Sequence, residues 1–242
     1  MKTVLHLAKD RGAGDYGWLT TRYSFSFSSY YDPAKMGFGA LRVLNDDHIA
    51  AGSGFGRHSH SDMEIVTIIL SGALTHTDSL GNTGTIGADE VQVMSAGAGI
   101  EHSEYNASKT QPVELFQLWI ETNRPGVAPR YDQRAYTLLP STFTPLVVPY
   151  NGIAGYHYSA PWIYQDAFVF MGDFRAGDTN QLPAQEGDGF YVLVIEGDFA
   201  VGDQILHARD AFGVFEADVV KFAALTDARV LLIVVPMGEQ KR

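Results

Sequence analysis

One nine-residue pattern occurs twice. Val66-Thr67-Ile68-Ile69-Leu70-Ser71-Gly72-Ala73-Leu74 is matched by Tyr191-Val192-Leu193-Val194-Ile195-Glu196-Gly197-Asp198-Phe199, an offset of 191 − 66 = 125 residues. Each copy is an apolar run ending at a glycine, as expected of a buried strand entering a hairpin, and self-similarity at so long a period constrains the chain to two related units. After each glycine a hairpin-like stretch leads to an aspartate and a further apolar run, Asp89 to Met94 and Asp210 to Phe215, now offset by 210 − 89 = 121. The first hairpin is therefore longer by 125 − 121 = 4 residues, which fall around Gly81-Asn82, a turn dipeptide at a tip that accepts insertion.

The rest of the chain fits an all-β reading. Short β-branched or aromatic runs separated by turn residues predict strands at Ala40 to Leu44, Ile65 to Leu70, Ala73 to Thr77, Glu90 to Met94, Leu115 to Ile120, Phe168 to Gly172, Tyr191 to Ile195, Phe199 to Val201, Ala211 to Phe215 and Val230 to Val235. That spacing suits two sandwiches or barrels. The seam is expected between Asn123 and Asn151, where Pro125, Pro129, Pro140, Pro145 and Pro149 rule out central sheet throughout. With 17 Lys+Arg against 28 Asp+Glu and no basic cluster, direct nucleic-acid binding is not expected. The absence of cysteine removes disulfides and thiolate ligands, so any metal must be held by nitrogen and oxygen. The longest apolar stretch, Val230 to Pro236, is far short of a membrane span, and Met1 to Asp10 does not read as a signal peptide. The expectation is a cytoplasmic protein without membrane association.

Two clusters carry chemistry: Gly56-Arg57-His58-Ser59-His60 and Gly99-Ile100-Glu101-His102-Ser103-Glu104. Residues two apart on a strand project to one face, so His58 with His60, and His102 with Glu104, each form a pincer. If the two strands face one another, three imidazoles and one carboxylate converge, a set suited to a divalent first-row metal with open positions for water, dioxygen or substrate. A lone His-x-His is more often a surface pair; the joint pattern is what points to a metal.

These residues resemble the cupin motifs. Together with Asp15-Tyr16-Gly17-Trp18-Leu19, Phe25-Ser26-Phe27, Tyr30-Tyr31-Asp32-Pro33, Leu41-Arg42-Val43-Leu44-Asn45-Asp46-Asp47, Gly54-Phe55-Gly56 and Met94-Ser95-Ala96-Gly97, they make the first 120 residues similar to the pirin family. The resemblance implies a bicupin, two tandem β-barrel or jelly-roll domains. Residues 1–130 would form the metal-binding cupin domain and residues 131–242 a cupin domain without ligands. It also implies metal ligands at His58, His60, His102 and Glu104, with iron as Fe2+ and with Mn, Co, Ni, Cu or Zn as alternatives. Tyr23 stands where many relatives have a histidine, which bears on pocket shape.

Some pirin-family proteins show quercetin 2,3-dioxygenase activity. The expected function is thus ring-opening oxygenation of quercetin or a related flavonol, with dioxygen as co-substrate and Glu104 as catalytic base. The competing reading is an iron-binding redox sensor acting through protein partners; a metal-assisted isomerase or sugar-binding cupin is a third. Applying the offsets to the second unit puts Pro183, Gln185, Ala223 and Leu225 at the ligand positions, so that unit is expected to have lost its site and to pack against the first, walling the pocket. Among other residues, Glu64 could orient an imidazole or be structural. His76 and Asp78 alternate toward one face, so His76 could approach the pocket, although ordinary hydrogen bonding is expected of it. His48, His157 and His207 default to loop or surface positions. Phe25, Phe27, Tyr30 and Tyr31 could line an aromatic slot, although packing of the N-terminal segment is the simpler reading.

Overall fold

A computed structural model of the chain describes residues 1–151 and 159–238. The first strands are β1 (Lys2–His6), β2 (Gly12–Asp15), β3 (Leu19–Tyr23), β4 (Leu41–Ile49), β5 (Gly54–His60), β6 (Met63–Ser71), β7 (Ala73–Asp78) and β8 (Thr83–Gly87). Next come β9 (Glu90–Ser95), β10 (Ile100–Asn106), β11 (Val113–Glu121), β12 (Arg130–Ala135), β13 (Phe143–Pro149), β14 (Trp162–Ile163) and β15 (Phe168–Phe174). The chain continues through β16 (Thr179–Pro183), β17 (Asp188–Glu196), β18 (Phe199–Val201), β19 (Gln204–Leu206), β20 (Ala211–Phe215), β21 (Val219–Ala224) and β22 (Ala228–Pro236). One three-residue 3-10 turn, Ala8–Asp10, is the only helical element among the described residues, and no helix is long and apolar enough to cross a membrane.

These strands form four open sheets, ordered β12-β9-β6-β11-β4-β3-β2, β5-β10-β7-β8, β1-β20-β17-β22-β15-β13-β14 and β16-β21-β18-β19. The expected pair of β-barrel or jelly-roll domains is corrected by this topology: among the described residues no sheet's last strand pairs with its first. Closure depends on strand tilt and shear around the whole ring, which a strand list does not contain. What the sheets do instead is stack through their faces. Val66, Ile68, Phe116 and Leu118 of one seven-stranded sheet share a buried core with Tyr191, Leu193, Leu231 and Ile233 of the other.

The alternate residues of those same strands face away from that shared core, so β6, β11, β17 and β22 are buried on both sides; β17 and β22 read as continuous apolar runs, whereas Thr67 and Gln117 interrupt β6 and β11. The two units follow the same order of pairing, β9-β6-β11-β4 against β20-β17-β22-β15, as the 125-residue repeat requires. Their edge strands are exchanged. β12 pairs with β9 in the first sheet, whereas β1, from the N-terminus, pairs with β20 in the second. Prolines in the seam are accommodated near an edge: β13 lies next to the two-residue β14, and its register slips between Pro145 and Val147.

The repeated glycine has a physical basis. Gly72 and Gly197 both take positive φ, 79° and 81°, and a Cβ on either would meet a backbone carbonyl, that of Pro112 or Asp227 respectively. We expect Gly197→Ala to lower stability by about 1–3 kcal/mol, read as a fall in Tm, with metal bound per chain unchanged. A Tm equal to that of the parent protein would show that the turn tolerates a side chain.

Candidate metal centre

β5 and β10 pair antiparallel with His102 directly opposite His58 and Ile100 opposite His60. The register then shifts, so that Glu104 faces Phe55 while Gly56 and Arg57 together oppose Ser103. This bulge turns the strand and aims Phe55 toward the same interior as the histidines. The imidazoles converge: ring centroids of His58 and His102 are 4.4 Å apart, His58 and His60 4.8 Å, and His60 and His102 4.9 Å. Ligand atoms of His58, His60 and His102 all lie within 4.8 Å of one another.

A second set of the same tightness contains His76, His102 and Glu104, all buried, so the two sets share His102. The four residues expected as ligands are therefore neighbours, but Glu104 sits on the His102 and His76 side of the centre. His76 is the addition; β7 pairs with β10 so that His76 is opposite Glu104 and Asp78 opposite His102.

Electrostatics keep these rings available as donors. Burial, followed by the charge of neighbouring histidines, pushes His102 down to about 3; burial and His58 push His60 down to about 4. Both are neutral at pH 7, with lone pairs to offer. His58 donates from Nδ1 to the Gly56 carbonyl at 2.7 Å, which leaves its Nε2 free as an acceptor. Burial pushes the Glu104 carboxyl up, while Gln117 donates from Nε2 to Glu104 Oε2 at 2.8 Å and accepts from Trp119 Nε1 at 3.2 Å. Two polar atoms in this centre are buried without a partner, His102 Nε2 and Glu104 Oε1. Each such orphan costs about 1–3 kcal/mol, and a nitrogen and an oxygen donor left open on neighbouring side chains fit a divalent cation, as does the absence of any cysteine.

The centre opens into a cavity of about 610 Å³ walled by Tyr16, Trp18, Tyr23, Phe27, Phe55 and Trp119, with Asn45, Asp47, Gln117, His58 and Glu104 also on its lining. Trp18 meets Phe55, and Phe27 meets Trp119, edge to face at 5.1 and 5.2 Å. Thr67, Gln92, Asn45, Asp47 and Gln117 make the interior of this unit polar although buried. At the corresponding place the second unit is packed with Phe143, Phe174, Phe190, Phe199 and Phe222.

The remaining expectations divide. Phe27 lines the cavity, whereas Phe25 is in the shared core, Tyr30 stacks on Tyr23 at 6.1 Å and Tyr31 is exposed. Glu64 is structural: it is buried and accepts from Ser95 at 2.6 Å, with no imidazole among its hydrogen-bond partners in the described residues. His48 and His207 are exposed and pair with Glu114 and Asp198; His157 lies outside the described residues. Sequence reading missed Asp47, Gln117, Trp18, Phe55 and Trp119 as lining residues. The parity of Asn45, Asp47 and Ile49, and of Leu115, Gln117 and Trp119, would have pointed Asp47, Gln117 and Trp119 to one interior once a strand was assigned, whereas Phe55 faces inward only because of the bulge and Trp18 lies outside a strand.

Fold and donor set together define a cupin-like metal protein. The family model described as Pirin matches residues 5–120, and that described as Quercetinase C-terminal cupin domain matches residues 157–235. The chain is 37% identical over 96% of its length to a protein of Escherichia coli (strain K12) named quercetin 2,3-dioxygenase, covering 98% of that relative. It is 40% identical to a pirin-like protein of Caulobacter vibrioides, with 92% of this chain and 94% of the relative covered. Among solved structures, the bacterial pirin YhhW from Escherichia coli in complex with nickel(II) matches with a TM-score of 0.90 and 35% identity, over 97% of this chain and 99% of that one. The chain belongs to the pirin family.

Asp47 yields a test of the polar interior. Burial, aided by the Asp46 and Glu104 carboxylates, pushes it up to about 7 from an unfolded value of about 3.9. A raised carboxyl favours the folded state at low pH, and that contribution is lost as pH rises from about 4 to about 7. In metal-free protein, wild type should lose stability relative to Asp47→Asn across that window, by on the order of 2–4 kcal/mol. A difference in urea-unfolding free energy that stays flat with pH would mean that the carboxyl is not buried as described.

Proposed function

We propose that this protein is a metal-dependent dioxygenase that opens the central ring of quercetin or a related flavonol, with both atoms of dioxygen incorporated and carbon monoxide released. The observation that carries the reading is the pair of orphaned donors, His102 Nε2 and Glu104 Oε1, beside two further imidazoles at an aromatic-walled cavity. His58, His60, His102 and Glu104 would hold the ion, taken to be Fe2+. When bound, such an ion lowers the pKa of a coordinated hydroxyl and orients it beside dioxygen. The chemistry is assigned to the unit built on residues 1–130, and the unit built on 131–242 backs it through the shared core.

The chain's own residues do the rest. Trp18, Phe27, Phe55 and Trp119 offer flat apolar walls for a polycyclic aromatic substrate. Buried Glu104, with its carboxyl raised, takes the proton of the acidic 3-hydroxyl, and Gln117, braced by Trp119, holds that carboxylate in one orientation. The enclosing rings limit water at the reacting carbons. Metal-loaded wild type should consume oxygen as quercetin disappears. His58→Ala and Glu104→Gln should each lower that rate by roughly 100-fold or more while the fold survives. Undiminished oxygen uptake in either variant would refute the assigned roles. Failure of wild type to turn over with Fe, Mn, Co, Ni, Cu or Zn would refute the activity and favour the sensor.

A further inference from the structure

The metal-centre unit contains four hairpin residues that its repeat lacks. In the second unit β18 and β19 are joined at Gly202 and Asp203 alone, whereas β7 and β8 are separated by residues 79–82. The connecting loop accounts for two of those four, and residues 79–82 form a clamp rather than a loose tip. The backbone N–H groups of Leu80 and Asn82 donate to Asp78 Oδ1 at 2.9 and 3.0 Å, and the Asn82 amide donates to Asp78 Oδ2 at 2.9 Å. Ser79 ties the same loop to β10, its N–H donating to the Glu101 carbonyl and its hydroxyl accepting from the Glu101 N–H.

The Asp78 carboxylate held in this way points inward, its side chain fully buried beside that of His76, and accepts from His76 Nε2 at 3.2 Å. A carboxylate is an acceptor only, so His76 carries a proton on Nε2, and as the neutral imidazole it has its lone pair on Nδ1. His76 Nδ1 lies 3.4 Å from His102 Nδ1. With that tautomer, a hydrogen bond between the two rings requires His102 to donate from Nδ1. That leaves His102 Nε2 as the lone pair, the same atom found buried without a partner. Tyr131 stacks on His76, rings 4.7 Å apart and 28° from parallel, and restricts its rotation.

We infer that Asp78 and His76 are positioning residues that set the tautomer and orientation of His102 for metal binding, through the chain Asp78, His76 Nε2–H, His76 Nδ1, His102 Nδ1–H. The inference rests on the reading of His102 as a metal ligand. It also gives the hairpin insertion a purpose: the insertion builds the anchor for the carboxylate at the end of the chain. His58 reaches the same tautomer by another device, its own Gly56 carbonyl, so loss of the Asp78–His76 pair should disturb one imidazole and spare the other.

The test uses full-length protein and Co2+ as probe, with affinity from chelator competition and the visible absorption of the bound ion as a second readout. His76→Phe keeps a ring to stack on Tyr131 and removes the acceptor; it should weaken Co2+ binding about 10–100-fold and shift the absorption bands. His76→Gln, which returns a carbonyl acceptor, should recover much of the affinity. Wild-type affinity and spectrum in His76→Phe would overturn the inference. Two Co2+ per wild-type chain falling to one in His76→Phe would also overturn it, by making His76 a ligand. Unchanged affinity in His102→Ala would instead sink the ligand reading beneath it. Nitrogen-15 NMR of metal-free wild type gives an answer that needs no variant: His76 protonated on Nε2 and His102 on Nδ1 are expected, and the opposite tautomer in either ring refutes the chain.

Discussion

The register between Gly54–His60 and Ile100–Asn106 is the constraint on which the centre depends. It sets His102 across from His58, and the bulge that follows sets Glu104 across from Phe55. A slip by one residue would turn every one of these side chains to the opposite face. Nothing within either strand alone enforces that alignment. It is held by β7 on the far side of β10, whose own pairing brings His76 and Asp78 against Glu104 and His102. The site is thus a property of three adjacent strands, each supplying residues of one parity.

The two halves of the chain show how a single topology can carry different interiors. Strand order is repeated, and in both units the central strands share one face with the common core. The other face decides the character of each unit. In the second, phenylalanines and aliphatic residues fill the space, and the result is a packed core. In the first, Thr67, Asn45, Asp47, Gln92 and Gln117 occupy that face, and polar groups that cannot all pair with one another leave room for a cavity and a cation. The exchange of edge strands β1 and β12 ties the halves together at both ends, so the metal unit and its backing unit share sheets as well as a core.

Much of the site was legible because it is local. His58 with His60 and His102 with Glu104 follow from a two-residue period, and the vacancy of the second unit follows from counting along the repeat. The aromatic walls were legible in part: Phe27 lines the cavity, the less favoured of its two readings, while Phe25 went to the shared core, a choice made by residues of the other half such as Tyr191. His76, alternating with Asp78 toward one face, carried no more than an expectation of ordinary hydrogen bonding. Its importance comes from neighbours at positions 102 and 131, distant in sequence, and from a hairpin insertion that resembled a tolerated tip.

The amino-acid sequence by itself determined that the chain is built of strands, that it contains two related units, and which short segments can present metal ligands, since each of these follows from residue type and a period of two. Whether the sheets close, which face of a doubly buried strand meets the other unit, and where the proton of His102 resides were decided by the tertiary structure alone. The reason is the same in all three cases. Strand tilt, sheet stacking and hydrogen-bond partners across adjacent strands depend on residues far apart in the chain, and period-two patterning says which side a residue takes without saying what lies there.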